Sequence, residues 1–219
     1  MNRIAENIAR INSELPQTTQ FIVVSKYREI EEIQQVYNCN QRVFAENRVQ
    51  PLLERKEALP QDIEWHLIGH LQTNKVKFIA PFIAMIHSVD SRHLLDEIQK
   101  QAQKCNRVIP CLFQLHLAQE ESKFGIARSD IHSFFEGLNP LDYPNVVFSG
   151  LMSMGSLTHD VELTKKEFAE AQNYFKQIKS TYFPTLESFK ELSIGMSGDY
   201  KIAIEYGSTM VRIGSAVFE

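Results

Sequence analysis

Eight short apolar runs, many of them β-branched, recur along this chain, separated by charged segments of helical spacing, and that alternation constrains the fold more than any single motif. The runs are Phe21 to Ser25, Val43 to Ala45, Trp65 to Ile68, Ala84 to Val89, Val108 to Leu117, Val146 to Gly150, Leu192 to Met196 and Met210 to Ile213. They are apolar on both faces rather than strictly alternating, which fits parallel strands covered by helices. Between them, Leu94, Ile98 and Ala102 follow Ser91 at helical spacing, and Phe168, Ala171, Phe175 and Ile178 follow Asp160. Pro51, Pro60, Pro81, Pro110, Pro140, Pro144 and Pro184 fall mostly between elements or at their first positions. Eight such units close naturally into a barrel, so the expected fold is α/β, a (β/α)8 TIM-type barrel forming a single domain over residues 1–219. An open doubly wound sheet is the second choice. Ile4, Ile8, Ile11 and Leu15 predict an extra helix over residues 1–15, packed on the barrel.

Composition narrows the function classes. With 219 residues, 43% of them hydrophobic, the chain can bury a sizeable core. A net charge of −4, without a block of Lys and Arg interleaved with aromatics, argues against nucleic-acid binding. No run of apolar residues is long enough for a membrane span. Cys39, Cys105 and Cys111 form no CxxC pair and no even framework, which fits a cytoplasmic protein without disulfides or structural zinc. The histidines include no HExxH spacing, and His66 and His87 lie inside strands, where hydrogen-bonded core histidines are expected. No phosphate-binding P-loop, GxGxxG or GxSxG occurs.

In such a barrel, ligands are met at the C-terminal ends of the strands. There the sequence places Lys26, Glu46-Asn47, Gly69-His70, Ser88 and Asp90, Met152 to Met154, Ser197-Gly198 and Gly214-Ser215. The loops after the seventh and eighth runs read GMSGD and RIGS. Barrels commonly bind phosphate there through exposed backbone N–H groups, so Ser197, Gly198, Gly214 and Ser215 could cradle a phosphate monoester; ordinary turn chemistry is the alternative. Lys26 ends the string FIVVSK, a placement that suggests a buried amine facing a pocket, against the plainer reading of an edge lysine. A phosphate cradle and a partly desolvated lysine at one barrel mouth are what a phosphorylated aldehyde cofactor requires, because a desolvated amine is more often free base and forms a Schiff base. Arg212 is odd for a packed interior: either it faces a pyridine nitrogen, leaving the ring unprotonated and weak as an electron sink, or it pairs with Asp199 or Glu205. Glu120 to Lys123 read as a solvated loop with a possible place on the rim.

From residue 20 to residue 218 the motifs resemble the YggS/PROSC-type pyridoxal 5′-phosphate (PLP) homeostasis proteins, related to the barrel domain of alanine racemase. They run VSK at 24–26, AENRVQ at 45–50, WHLIGHLQTNK at 65–75, HSVDS at 87–91, ESKFG at 121–125, GLMSM at 150–154, LSIGMSGD at 192–199 and GSTMVRIGSAVF at 207–218. The resemblance implies that Lys26 is the Schiff-base lysine, that Ser197 and the Gly214-Ser215 turn hold the phosphate, that Arg212 faces the pyridine nitrogen and that Asn47 lies near the ring. It implies a cytoplasmic protein that stores PLP or delivers it to PLP-dependent apo-enzymes. The chain departs from the family at Tyr27-Arg28-Glu29, Ala45, Arg48 and Pro51.

Racemases of the related fold use a second domain to place a base on the far face of the cofactor, and eight βα units with an N-terminal helix leave no room for one in these 219 residues. A non-catalytic, monomeric carrier or regulator is therefore the leading expectation. The alternative is a stand-alone PLP-dependent amino-acid racemase or lyase with Tyr27 or His70 as second base.

Overall fold

A computed structural model describes residues 3–118 and 124–219; the Glu120 to Lys123 loop and most of the ESKFG motif lie outside the described residues. The strands are β1 (Gln20–Val24), β2 (Val43–Glu46), β3 (Glu64–Leu67), β4 (Met85–Val89), β5 (Ile109–His116), β6 (Ile126–Ala127), β7 (Val146–Ser153), β8 (Glu191–Ser193) and β9 (Met210–Ile213). All pair in parallel in the order β4-β3-β2-β1-β9-β8-β7-β5, and a β4–β5 pairing closes the ring, so the fold is the expected eight-stranded barrel and not the open sheet. The two-residue β6 is an addition that pairs only with the end of β5, Leu115 opposite Ile126.

The two sides of each strand bury different residues. Ile22, Val24, Ala45, Met85, Leu112, Met152 and Met210 form a small apolar cluster of their own, which fills the barrel interior. Their neighbours along the strands, among them Phe21, Val23, Phe44, Trp65, Leu67, Ile86, Phe113 and Leu151, join the larger core between sheet and helices. There Phe113 meets Phe135 and Phe148 edge to face, each with centroids 5.1 Å apart, and such pairs add about 0.5–1.5 kcal/mol beyond burial.

The helices are α1 (Arg3–Glu14), α2 (Ile30–Asn38), α3 (Val49–Ala58), α4 (Thr73–Ile79), α5 (Arg92–Lys104), α6 (Ile131–Phe135), α7 (Val161–Tyr182), α8 (Tyr200–Glu205) and α9 (Ser215–Phe218). The starts of α5 and α7 follow from capping: Ser91 Oγ accepts from Leu94 N, and Asp160 accepts from the N–H groups of Glu162 and Leu163. The expected N-terminal helix is α1, which buries Ile4, Ile8 and Ile11 and packs on α2 and α9, with Asn7 Nδ2 donating to Val217 O at 3.1 Å.

Several positions differ from the sequence reading, the seventh run among them, since β8 ends at Ser193 rather than Met196. The sixth run continues to Ser153, so Met152 and Ser153 lie inside β7 rather than in the loop after it, and Met152 points into the interior cluster. Ser88 lies within β4 and is fully buried, whereas Asp90 does follow the strand.

Candidate functional site

The predicted site residues lie at the C-terminal ends of four strands that are neighbours in the ring. In spatial order they are Asn47 after β2, Lys26 after β1, Arg212, Gly214 and Ser215 on and after β9, and Ser197 with Gly198 after β8. Backbone contacts draw these ends together. A Cβ on Gly69, after β3, would sit 2.1 Å from Asn47 O, so that close approach needs glycine, whereas one on Gly214 would sit 3.2 Å from Val24 O, a tight fit only. Gly198 has nothing near the place its Cβ would take, so packing does not demand glycine there.

Lys26 corrects the expectation of a buried amine: it is exposed at the mouth, because the chain leaves β1 there and Tyr27 turns outward with φ 65° and 75% exposure. Protein atoms alone do not desolvate it. The residues beneath are firmly held. Ser25, fully buried, donates from its backbone N to Ala45 O at 3.1 Å and from Oγ to Glu46 Oε1. Glu46 Oε2 in turn lies 2.7 Å from Arg55 Nη1, and Arg55 Nη2 donates to Arg28 O at 2.9 Å. Burial pushes the Glu46 carboxyl up, while the Ser25 hydroxyl, Arg55 and Lys26 pull it down. This anchored carboxylate fixes the turn that carries Lys26.

The two phosphate-candidate loops do meet. Ser197 Oγ accepts from Gly214 N at 3.1 Å and from Ala216 N at 3.3 Å. Two backbone N–H groups therefore converge on one oxygen at the mouth. Asp199 shapes the same loop by accepting from Met196 N, and burial raises its carboxyl.

Arg212 is 3% exposed. The ion pair with Asp199 or Glu205 weighed from the sequence is not made: among the described residues no carboxylate pairs with Arg212, and Asp199 attracts it only through space. Instead Nη1 donates to Ser193 O at 2.8 Å and Ser193 Oγ at 2.7 Å, and Nη2 donates to Ser153 O at 3.0 Å. Burial brings the guanidinium down to about 10. A buried cation held only by neutral acceptors is costly, and it suits an acceptor arriving from the mouth. Ser153 lies within the Met152 to Met154 stretch that the sequence places at a strand end, whereas Ser193 is not singled out there; the available signal is a serine inside an otherwise apolar run. His66 and His87 are hydrogen-bonded core histidines, as expected, with Nδ1 of His66 2.9 Å from Nε2 of His87. Of the candidate second bases, Tyr27 points to solvent, while His70 Nδ1 lies 3.2 Å from Asp90 and its ring stacks on Phe124.

The profile of the family described as "Alanine racemase, N-terminal domain" matches residues 1–219. The chain is 40% identical over 189 residues to the pyridoxal phosphate homeostasis protein of Aquifex aeolicus, covering 86% of this chain and 81% of that protein. It is 35% identical over 228 residues to the human protein of the same name, covering 99% and 82%. The structure of PipY from Synechococcus elongatus with PLP bound is similar at TM-score 0.87 and 32% identity, covering 99% of this chain and all of that one (100%). Alanine racemase from Bartonella henselae shares the fold at TM-score 0.74 and 18% identity, this chain spanning 58% of that one. The chain belongs to the pyridoxal phosphate homeostasis protein family, within the group defined by the alanine racemase N-terminal domain.

Proposed function

We propose that this chain binds PLP at the C-terminal mouth of the barrel and serves intracellular PLP homeostasis as a carrier or regulator, residues 1–219 acting as one binding unit. The observation that carries the reading is the arc of Asn47, Lys26, Arg212, Gly214, Ser215, Ser197 and Gly198 on four neighbouring strand ends. The names of the relatives and the PLP in PipY support it.

PLP supplies an aldehyde that condenses with a primary amine, and a ring that withdraws electrons when its nitrogen is protonated. Lys26 is the amine for that aldehyde. The N–H groups of Gly214 and Ala216 already converge on Ser197 Oγ, so a small rotation of that hydroxyl lets the same N–H groups, with Gly198 and Ser215 beside them, serve a phosphate oxygen. Arg212 donates only, so toward a ring nitrogen it would keep the ring unprotonated, and the site would retain the cofactor rather than drive it as an electron sink. Asn47, at the end of β2, would stand beside that ring. Of the two candidate second bases, Tyr27 is turned to solvent and the ring of His70 is stacked on Phe124, which favours a carrier over a racemase or lyase. A cytoplasmic monomer that passes PLP to apo-enzymes completes the reading; among the described residues no helix is long and apolar enough to cross a membrane.

Titration with PLP followed by absorbance tests it. A saturable band is expected in the wild type, and steady-state assays with alanine and serine should show no turnover. A protein that never acquires the band contradicts the binding claim, and turnover of about 1 per second or faster would make it an enzyme.

A further inference from the structure

Arg212 is one end of a chain of side chains that crosses the barrel interior. Its Nη1 lies 2.7 Å from Ser193 Oγ on β8, that oxygen lies 3.2 Å from His87 Nδ1 on β4, and His87 Nε2 lies 2.9 Å from His66 Nδ1 on β3. None of the four residues is more than 3% exposed. His66 borders a cavity of about 540 Å3 at the N-terminal end of the barrel, shared with Gln20, Glu64, Met85, Thr209 and Met210.

One direction runs through this chain when the Ser193 hydrogen goes to His87 Nδ1; the opposite tautomer, with Nδ1–H donating to Ser193 Oγ, is the alternative. A guanidinium has only donors, so Ser193 Oγ accepts from Arg212 and its own hydrogen is free for His87 Nδ1. A neutral His87 then carries its hydrogen on Nε2 and donates it to His66 Nδ1. His66 is left with its hydrogen on Nε2. Neutral rings suit the site: burial pushes His66 down to about 3, and burial, His66 and Arg212 together hold His87 well below its usual value.

We propose that His66, His87 and Ser193 are positioning residues for Arg212, a one-way hydrogen-bond chain that orients the guanidinium presented to the cofactor ring. The proposal rests on the reading that the mouth binds PLP. Ser193 O and Ser153 O hold Arg212 from the backbone, but a hydroxyl can rotate, and only the acceptor at His87 Nδ1 keeps the Ser193 lone pair turned toward Nη1. A change at His87 would thus reach the cofactor through two intervening residues, Ser193 and Arg212, without touching it.

The test joins side-chain NMR of the ligand-free protein with PLP binding by variants. Both histidines should show the Nε2–H tautomer and no titration between about pH 5.5 and about pH 8. The substitution His87→Leu should weaken PLP binding about tenfold and move the band of the bound cofactor, while His87→Asn, whose Oδ1 can replace the lost acceptor, restores most of both. Ser193→Ala is the milder variant should His87→Leu fold poorly, and it should weaken binding and move the band in the same sense. Urea unfolding of each ligand-free variant separates lost stability from lost positioning. An Nδ1–H tautomer, a titrating ring, or His87→Leu and Ser193→Ala proteins with wild-type affinity and band would overturn the positioning role while leaving PLP binding intact. A wild type that binds no PLP would instead remove the reading beneath it, and the positioning role would fall with it.

Discussion

Lys26 and Arg212 divide the work at the mouth between a covalent attachment point and a buried cation. If the phosphate cradle contributes independently, Lys26→Ala should lose every borohydride-stable adduct yet keep weaker, reversible PLP binding, read by equilibrium dialysis; complete loss of affinity would mean that the cradle adds nothing. Among the histidines the sign of pH dependence is fixed. His66 falls from 6.5 to about 3 on folding, because burial disfavours the charged ring. Between those values the unfolded chain binds a proton that the folded chain refuses, so stability falls as pH drops through the window and is level above it. The slope reaches about 1.4 kcal/mol per pH unit for such a histidine, and urea midpoints of His66→Gln should depend less on pH there than the wild type. At this scale position was legible and environment was not. The place of Lys26 one residue past an apolar run fixed its strand end, but its exposure depends on where Tyr27 turns, and Arg212 found its partners in Ser193 and Ser153, which the β7-β8-β9 strand order brings within reach.

Elements hold the site through a few close contacts. Gly69→Ala would press a methyl into Asn47 O, where the built Cβ lies at 2.1 Å. The β2 and β3 ends must then separate, costing about 1–3 kcal/mol by urea unfolding and weakening PLP binding through Asn47. Arg55→Met leaves the Glu46 carboxylate buried without its ion-pair partner at 2.7 Å, which should cost about 3–5 kcal/mol, with a raised Glu46 pKa visible by carboxyl NMR. Glu46→Gln in the same background should recover part of that loss. The sequence reading located all eight barrel strands because a run of apolar residues marks each, although β8 itself keeps only Leu192 of the apolar residues in its run. It missed β6, since two residues are too short to show a period, and it ended the sixth run early because Gly150 reads as a break where the strand in fact continues to Ser153.

At the scale of the molecule, closure is what makes the account coherent. The β4–β5 pairing turns a row of strands into a ring, places the predicted site residues on one arc and encloses the polar chain from His66 to Arg212. Eight strand–helix units made the ring legible in advance; the polar chain was not, because its members lie on four strands far apart in sequence. The central claim is that the amine of Lys26 carries PLP. Reduction of the PLP-loaded protein with borohydride, followed by peptide mass mapping, tests it directly. The account predicts one phosphopyridoxyl adduct, confined to the peptide containing Lys26; an adduct on another lysine, or none in a protein that remains loaded, would contradict it.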